Sequence, residues 1–218
     1  MTSYKFYVGF AVFVELFPIV PFLVGIQKWK IASPGIRLFL GFLLADFLIN
    51  LVSNYLFLLL VTNHFLYYFY SFQYTIFLFP ALFYFFKNRK ERLIIVILLG
   101  ISLLLLTVDF LFISKIGINY VSGSFINFII FLISIYYSSK EFGKNDKKSI
   151  NEILLNLALI LSLQFFIKSI ETFLGKYLLE TQTNSFLWTQ VRNVYSYFML
   201  FSLIAYTYFF SILKTDET

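Results

Sequence analysis

At 218 residues, with 60% hydrophobic and only 13% charged side chains, 31 Phe and 16 Tyr, the chain carries more apolar surface than one small water-soluble core can hide. Its mean hydropathy of +0.84 makes lipid the natural solvent. The lack of cysteine excludes disulfides, thiol catalysis and Cys-zinc sites, and a single histidine, His64, excludes a multi-histidine metal centre; the net charge of +6 has to be read by position before it suggests nucleic acid.

Seven apolar stretches, each long enough to cross about 30 Å of hydrocarbon, follow along the chain. They cover residues 6–26, 36–60, 65–86, 93–114, 120–139, 153–179 and 186–213. The first lacks the basic cluster and small-residue cleavage site of a signal peptide, so it is expected to stay as a span. Pro18 and Pro21 should kink it. The connections are short and polar. The first, third and fifth hold Lys28, Lys30 and Arg37; Lys87, Arg89, Lys90 and Arg92; and Lys140, Lys144, Lys147 and Lys148. With Lys214 of the tail they make twelve basic residues, against three, Lys5, Lys115 and Lys176, on the other face. A basic excess marks the cytoplasmic side, which puts the N-terminus outside and the C-terminus in the cytoplasm. The basic residues then face anionic headgroups and need no nucleic acid. No loop is long enough to fold alone, so residues 1–218 are expected to form a single transmembrane domain. The spans could divide into three plus one plus three, the layout of the sugar-transporting PQ-loop proteins, but the Pro-Gln dipeptide of that family is missing and the span prolines lie only in the first half.

Ionisable groups in hydrocarbon are costly, by roughly 2.5 kcal/mol or more at the centre, and so point to sites. Glu15, Asp46, Asp109, Lys168, Glu171 and Arg192 lie within spans, accompanied by Asn50, Asn54, Gln73, Asn127, Gln164 and Asn193. Asp46, Asn50 and Asn54 are four apart, and Gln164, Lys168 and Glu171 four and three apart, so each set forms a stripe on one helix face. On the topology above, Asp46, Asn50 and Asn54 run from mid-span to the outer end of the second span, Lys168, Glu171, Arg192 and Asn193 fall in outer halves with Gln164 nearer the middle, Glu15 and Gln73 lie near mid-depth, and the inner halves are almost purely apolar. Glu15, Asp46, Asn50, Gln73, Lys168, Glu171, Arg192 and Asn193 are therefore the candidate ligand-binding residues, lining a polar cavity open to the outside. The competing explanation is structural: snorkelling at span ends and interhelical amide bonds. Lys168 could pair with Glu171, and Arg192 with Asp46 or Asp109. His64 reads as a surface residue. Trp188 and the Tyr67, Tyr68, Tyr70 group read as one aromatic belt, and Trp29 as part of the other.

In the last span Trp188, Asn193, Tyr195, Tyr197 and Tyr206 resemble the final helix of small uncharacterised seven-helix membrane proteins common in the Bacteroidetes, a resemblance that implies no activity. Retinal-binding rhodopsins share the span count and orientation, but no lysine lies within the seventh span to form their Schiff base. The expectation is an all-α bundle of seven transmembrane helices in a cell inner membrane, with lipids as its surroundings and no cofactor, metal or catalytic set. Its leading functional reading is receptor-like or sensory: a small ligand or lipid headgroup bound in the outer cavity, with output through a partner protein. A small transporter or channel is the alternative, and an intramembrane lipid-modifying enzyme using Glu15 or Asp46 is a third.

Overall fold

The computed structural model describes residues 2–59, 65–113, 120–144, 152–180 and 185–213, with side chains for 9–59, 65–112, 121–144, 152–174 and 190–213. They form an all-α bundle of seven helical units. The first is two helices, α1 (Thr2–Leu16) and α2 (Ile19–Ile26), and the second is α3 (Pro34–Leu58). The third is α4 (Leu66–Gln73) and α5 (Phe79–Phe85), joined without a break by a π-helical segment, Tyr74–Leu78. The fourth is α6 (Arg89–Val108), continued by a π-helical segment, Asp109–Ile113. The last three are α7 (Tyr120–Phe142), α8 (Glu152–Glu180) and α9 (Ser185–Ile212). Six of the units are long and apolar enough to cross a membrane by length and composition. The third spreads its hydrophobicity thinner, through five Tyr, a Ser, a Gln and a Thr between 66 and 85.

Local chemistry explains the irregularities. The expected kink of the first span falls at Phe17–Pro18, where α1 stops and α2 restarts. In the third span Pro80 has no N–H to offer the Ile76 carbonyl, and the Thr75 hydroxyl donates to the Ser71 carbonyl at 2.7 Å; the helix widens through that stretch into the π turn. Ser33 caps α3 by accepting from the Ile36 N–H at 3.4 Å, with Pro34 at the first helical position. Asn88 caps α6 through the Lys90 N–H at 2.9 Å.

Each unit packs against the next in sequence, and α9 returns against α1 and α2, so the seven close into a ring. The third also touches α7, which brings it toward the centre. Fourth-span residues such as Leu93, Leu104, Phe110 and Phe112 are well exposed, a lipid-facing surface. Apolar surface gains little by leaving lipid for a helix interface, so the packing rests on shape and on ring geometry. Phe39 meets Tyr206 edge-on at 4.9 Å, and Tyr74 bridges Phe42 at 5.8 Å and Phe165 at 5.2 Å. Phe39, Phe42, Leu78, Phe79, Leu82 and Phe210 are sealed from solvent in the half of the bundle nearer the basic loops. Gly35 lets α3 approach α5 closely: a Cβ there would lie 3.1 Å from the Ala81 carbonyl oxygen.

Candidate functional site

The half of the bundle away from the basic loops holds a connected polar layer. Asp46 on α3 is almost fully buried. Its carboxylate accepts from Gln73 Nε2 of the third span at 2.8 Å and from Asn50 Nδ2, one turn on, at 3.3 Å. The Asn50 carbonyl oxygen Oδ1 accepts from the Tyr70 hydroxyl at 2.6 Å. Asn54, a further turn along, donates to the Asn50 backbone carbonyl at 2.9 Å and to Glu15 Oε2 of the first span at 3.1 Å. Glu15 Oε1 in turn pairs with Arg192 Nη2 of α9 at 2.9 Å. The four-residue stripe of α3 thus becomes the spine of a chain that ties the first, second, third and seventh spans together. A helix presenting amides and a carboxylate at i, i+4 and i+8 in lipid has to find such partners, because bare polar groups in hydrocarbon are so costly.

The sixth span supplies a second group beside the first. Lys168 pairs with Glu171 at 2.8 Å, and its ammonium sits 4.2 Å from the centre of the Tyr195 ring of α9. Deeper, Gln164 Oε1 accepts from the buried Tyr206 hydroxyl at 2.7 Å, and its Nε2 donates to the Met199 thioether at 3.0 Å.

Seven of the eight sequence candidates, Glu15, Asp46, Asn50, Gln73, Lys168, Glu171 and Arg192, come together here. Asn193 does not join them: it is half-buried on α9, a helical step of about 100° from Arg192, and makes none of the described hydrogen bonds. Asp46, Asn50 and Gln73 lie in the interior, Lys168 is largely covered, and the Arg192 side chain is 51% exposed at the open edge. Arg192 takes Glu15 as its partner, not Asp46 or Asp109. Asp109 instead holds the start of α7, accepting from the Ser122 N–H at 2.9 Å and hydroxyl at 2.6 Å across the helix–helix interface. The polar side chains bond to one another across the spans. One acceptor is left over: the buried Gln73 Oε1 has no hydrogen-bond partner among the described residues. Trp188 lies on α9, but its side chain, like His64, Lys115, Lys147 and Lys148, is outside the described residues.

Several partners escaped sequence reasoning. Tyr70, grouped with an interfacial belt, is a member of the layer, and Tyr68 is buried, so only Tyr67 of that group keeps an exposed ring. The spacing of Tyr70 and Gln73, three apart on one face, was the available signal. The half nearer the basic loops is also less purely apolar than expected, with Ser102, Ser134, Ser138 and Glu141 buried there. In that half the Tyr206 hydroxyl is committed to Gln164, and Tyr84 is 46% exposed on the surface of the bundle.

Among the described residues no group of three or more His, Cys, Asp or Glu is arranged to hold a metal ion. Comparison with protein-family models, with curated proteins and with solved structures finds no match to this chain. The architecture is that of a polytopic, all-helical membrane protein.

Proposed function

We propose that the protein is a receptor-like or sensory membrane component, in which the layer of Glu15, Asp46, Asn50, Gln73, Lys168, Glu171 and Arg192 recognises a small polar ligand or a lipid headgroup and a partner protein carries the output. The observation that supports this reading is the continuous chain Arg192–Glu15–Asn54–Asn50–Asp46–Gln73, which links four spans. A ligand that exchanged bonds with any member would bear on the relative placement of all four. Arg192 is the natural point of entry. It is half-exposed and spends one Nη2 on Glu15, and a guanidinium has five donors. A carboxylate or phosphate suits the remaining fork.

Transport is the weaker reading. A permeation path needs polar contacts along its length or alternating gates. Below the layer stand Phe39, Phe42, Leu78, Phe79, Leu82 and Phe210, all sealed. The proposal includes an inner-membrane location with the N-terminus outside, on the strength of the twelve-to-three split of basic residues, which would open the layer to the extracytoplasmic side.

The test is a thermal-shift screen of the purified chain against small carboxylates, phosphates and zwitterionic headgroup analogues. A compound that raises Tm in the parent protein but not in Arg192→Ala supports the reading. Solute or ion flux through liposomes that disappears in a folded Asp46→Ala variant overturns it in favour of a transporter.

A further inference from the structure

At the opposite end of the bundle, between α6 and α7, a cleft of about 250 Å³ opens beside the basic third loop. Its walls are Phe86, Ile94, Ile95, Leu132 and Ile133. Ile94 is 56% and Leu132 40% exposed, so the cleft is continuous with the surface that faces hydrocarbon. Its polar lining is confined to Glu91 and Tyr136. On α7, Leu132, Tyr136 and Lys140 are successive four-residue steps and share one face. That stripe runs from the apolar wall to a cation. Lys140 pairs with Glu91 at 2.6 Å, the Tyr136 hydroxyl donates to Glu91 at 3.0 Å, and the ammonium lies 5.8 Å from the centre of the Phe86 ring. On α6, Lys90 stands one turn before Ile94 on the same face, and Lys87 directly follows Phe86; both are exposed.

We propose that this cleft is a binding site for an anionic phospholipid, with an acyl segment between α6 and α7 and the phosphate held by Lys140, Lys90 and Lys87. The apolar part requires an occupant that arrives from the hydrocarbon, since the opening faces lipid. The mouth requires a negative headgroup. Glu91, the one acid among the described residues that line the cleft, has both oxygens engaged by Lys140, at 2.7 and 2.6 Å. An ammonium has three donors, so Lys140 keeps one for a phosphate oxygen. The start of α6 adds the positive end of its dipole to the same spot. The site is separate from the polar layer and does not depend on the function proposed for that layer.

Native mass spectrometry tests it directly. The full chain is reconstituted in vesicles of equimolar phosphatidylglycerol and phosphatidylcholine, then extracted into mild detergent and weighed. The expected result is one retained phosphatidylglycerol per chain. Each exposed lysine near a membrane surface favours an anionic lipid by about fivefold, so Lys90→Gln and Lys140→Gln should each lower the preference over phosphatidylcholine by that factor. Leu132→Trp, which fills the cleft from its exposed edge, should abolish retention of either lipid. If Leu132→Trp does not fold, the two lysine variants decide alone. Equal retention of the two lipids by the parent protein overturns the proposal. So does a preference that survives both lysine substitutions, or undiminished retention in folded Leu132→Trp.

Discussion

Asp46 is where the polar layer can be weighed. Replacing it with alanine leaves two donors, Gln73 Nε2 and Asn50 Nδ2, without their acceptor in a region where Asp46, Gln73 and Asn50 are all buried. A buried group stripped of its partner costs about 1–3 kcal/mol, while interhelical hydrogen bonds within membranes average only about 0.6 kcal/mol in double-mutant cycles. The 2.8 Å bond to Gln73 should carry most of the loss and the 3.3 Å bond to Asn50 little. Together these bounds give an expected loss of about 1–3 kcal/mol for Asp46→Ala. Asp46→Asn should behave differently. The new amide keeps one acceptor for Gln73 or Asn50, and its own N–H can serve the Gln73 Oε1 that has no partner among the described residues, so the loss should stay within about 1 kcal/mol. Reversible unfolding in mixed micelles of dodecyl maltoside and SDS, followed by tryptophan fluorescence, measures both. If Asp46→Ala lies within about 0.5 kcal/mol of the parent protein, as an ordinary surface substitution does, the layer does not hold the spans together and the reasoning fails.

The Arg192–Glu15 pair is partly exposed, so Arg192→Ala should cost no more than about 1 kcal/mol in the same unfolding assay, whatever it does to ligand recognition. Gly35→Ala should cost about 1–3 kcal/mol, because the new Cβ meets the α5 backbone, whereas Gly100→Ala, with open space around it, should be neutral or stabilising. For topology, single cysteines introduced at positions 64 and 88 of this cysteine-free chain should differ in labelling by a membrane-impermeant maleimide applied to intact cells: position 64 labelled, position 88 protected. The reverse pattern would invert the proposed orientation.

The span positions were legible because lipid imposes a simple rule: a run of apolar residues of the right length, bounded by charge. Helices follow all seven of the stretches so marked, six of them long and apolar enough to cross a membrane and the third the least apolar. The stripe Asp46, Asn50, Asn54 was legible for the same reason, since helical periodicity fixes which residues share a face. Partner choice was not. Arg192 could reach a carboxylate on several spans, and which one it meets depends on the rotation of α1 and α9 about their axes, which the sequence pattern leaves free in a chain with Phe on every face. Tyr70 was hidden for a related reason: tyrosine serves equally at a membrane interface and as a hydroxyl donor inside, and only the neighbouring Asn50 separates the two uses.

The third span gathers features that, taken together, bear on how a signal would travel. Its upper part carries Tyr70 and Gln73, both bonded to α3. Immediately below lies the π segment Tyr74–Leu78, and then Pro80 and the sealed aromatic core. A π turn and a proline each weaken the backbone ladder of a helix, and here they are consecutive. The rings of Phe42, Tyr74 and Phe165 interlock across three spans at this level, so a change in the Asp46–Gln73 bond acts on a packed contact that rearranges in steps. The end of α5 then leads through Phe86 into the Lys140–Glu91 cluster, where Phe86 also walls the proposed lipid cleft. A link between the two ends therefore has one continuous element to run along. If it exists, Gln73→Leu should change phosphatidylglycerol retention at the far end while leaving the residues of that cleft untouched. By linkage the effect must be reciprocal, with the lipid altering ligand affinity at the polar layer by the same factor. Retention identical in Gln73→Leu and the parent protein would make the two sites independent, and the output of the polar layer would then have to leave through the α8–α9 side of the ring.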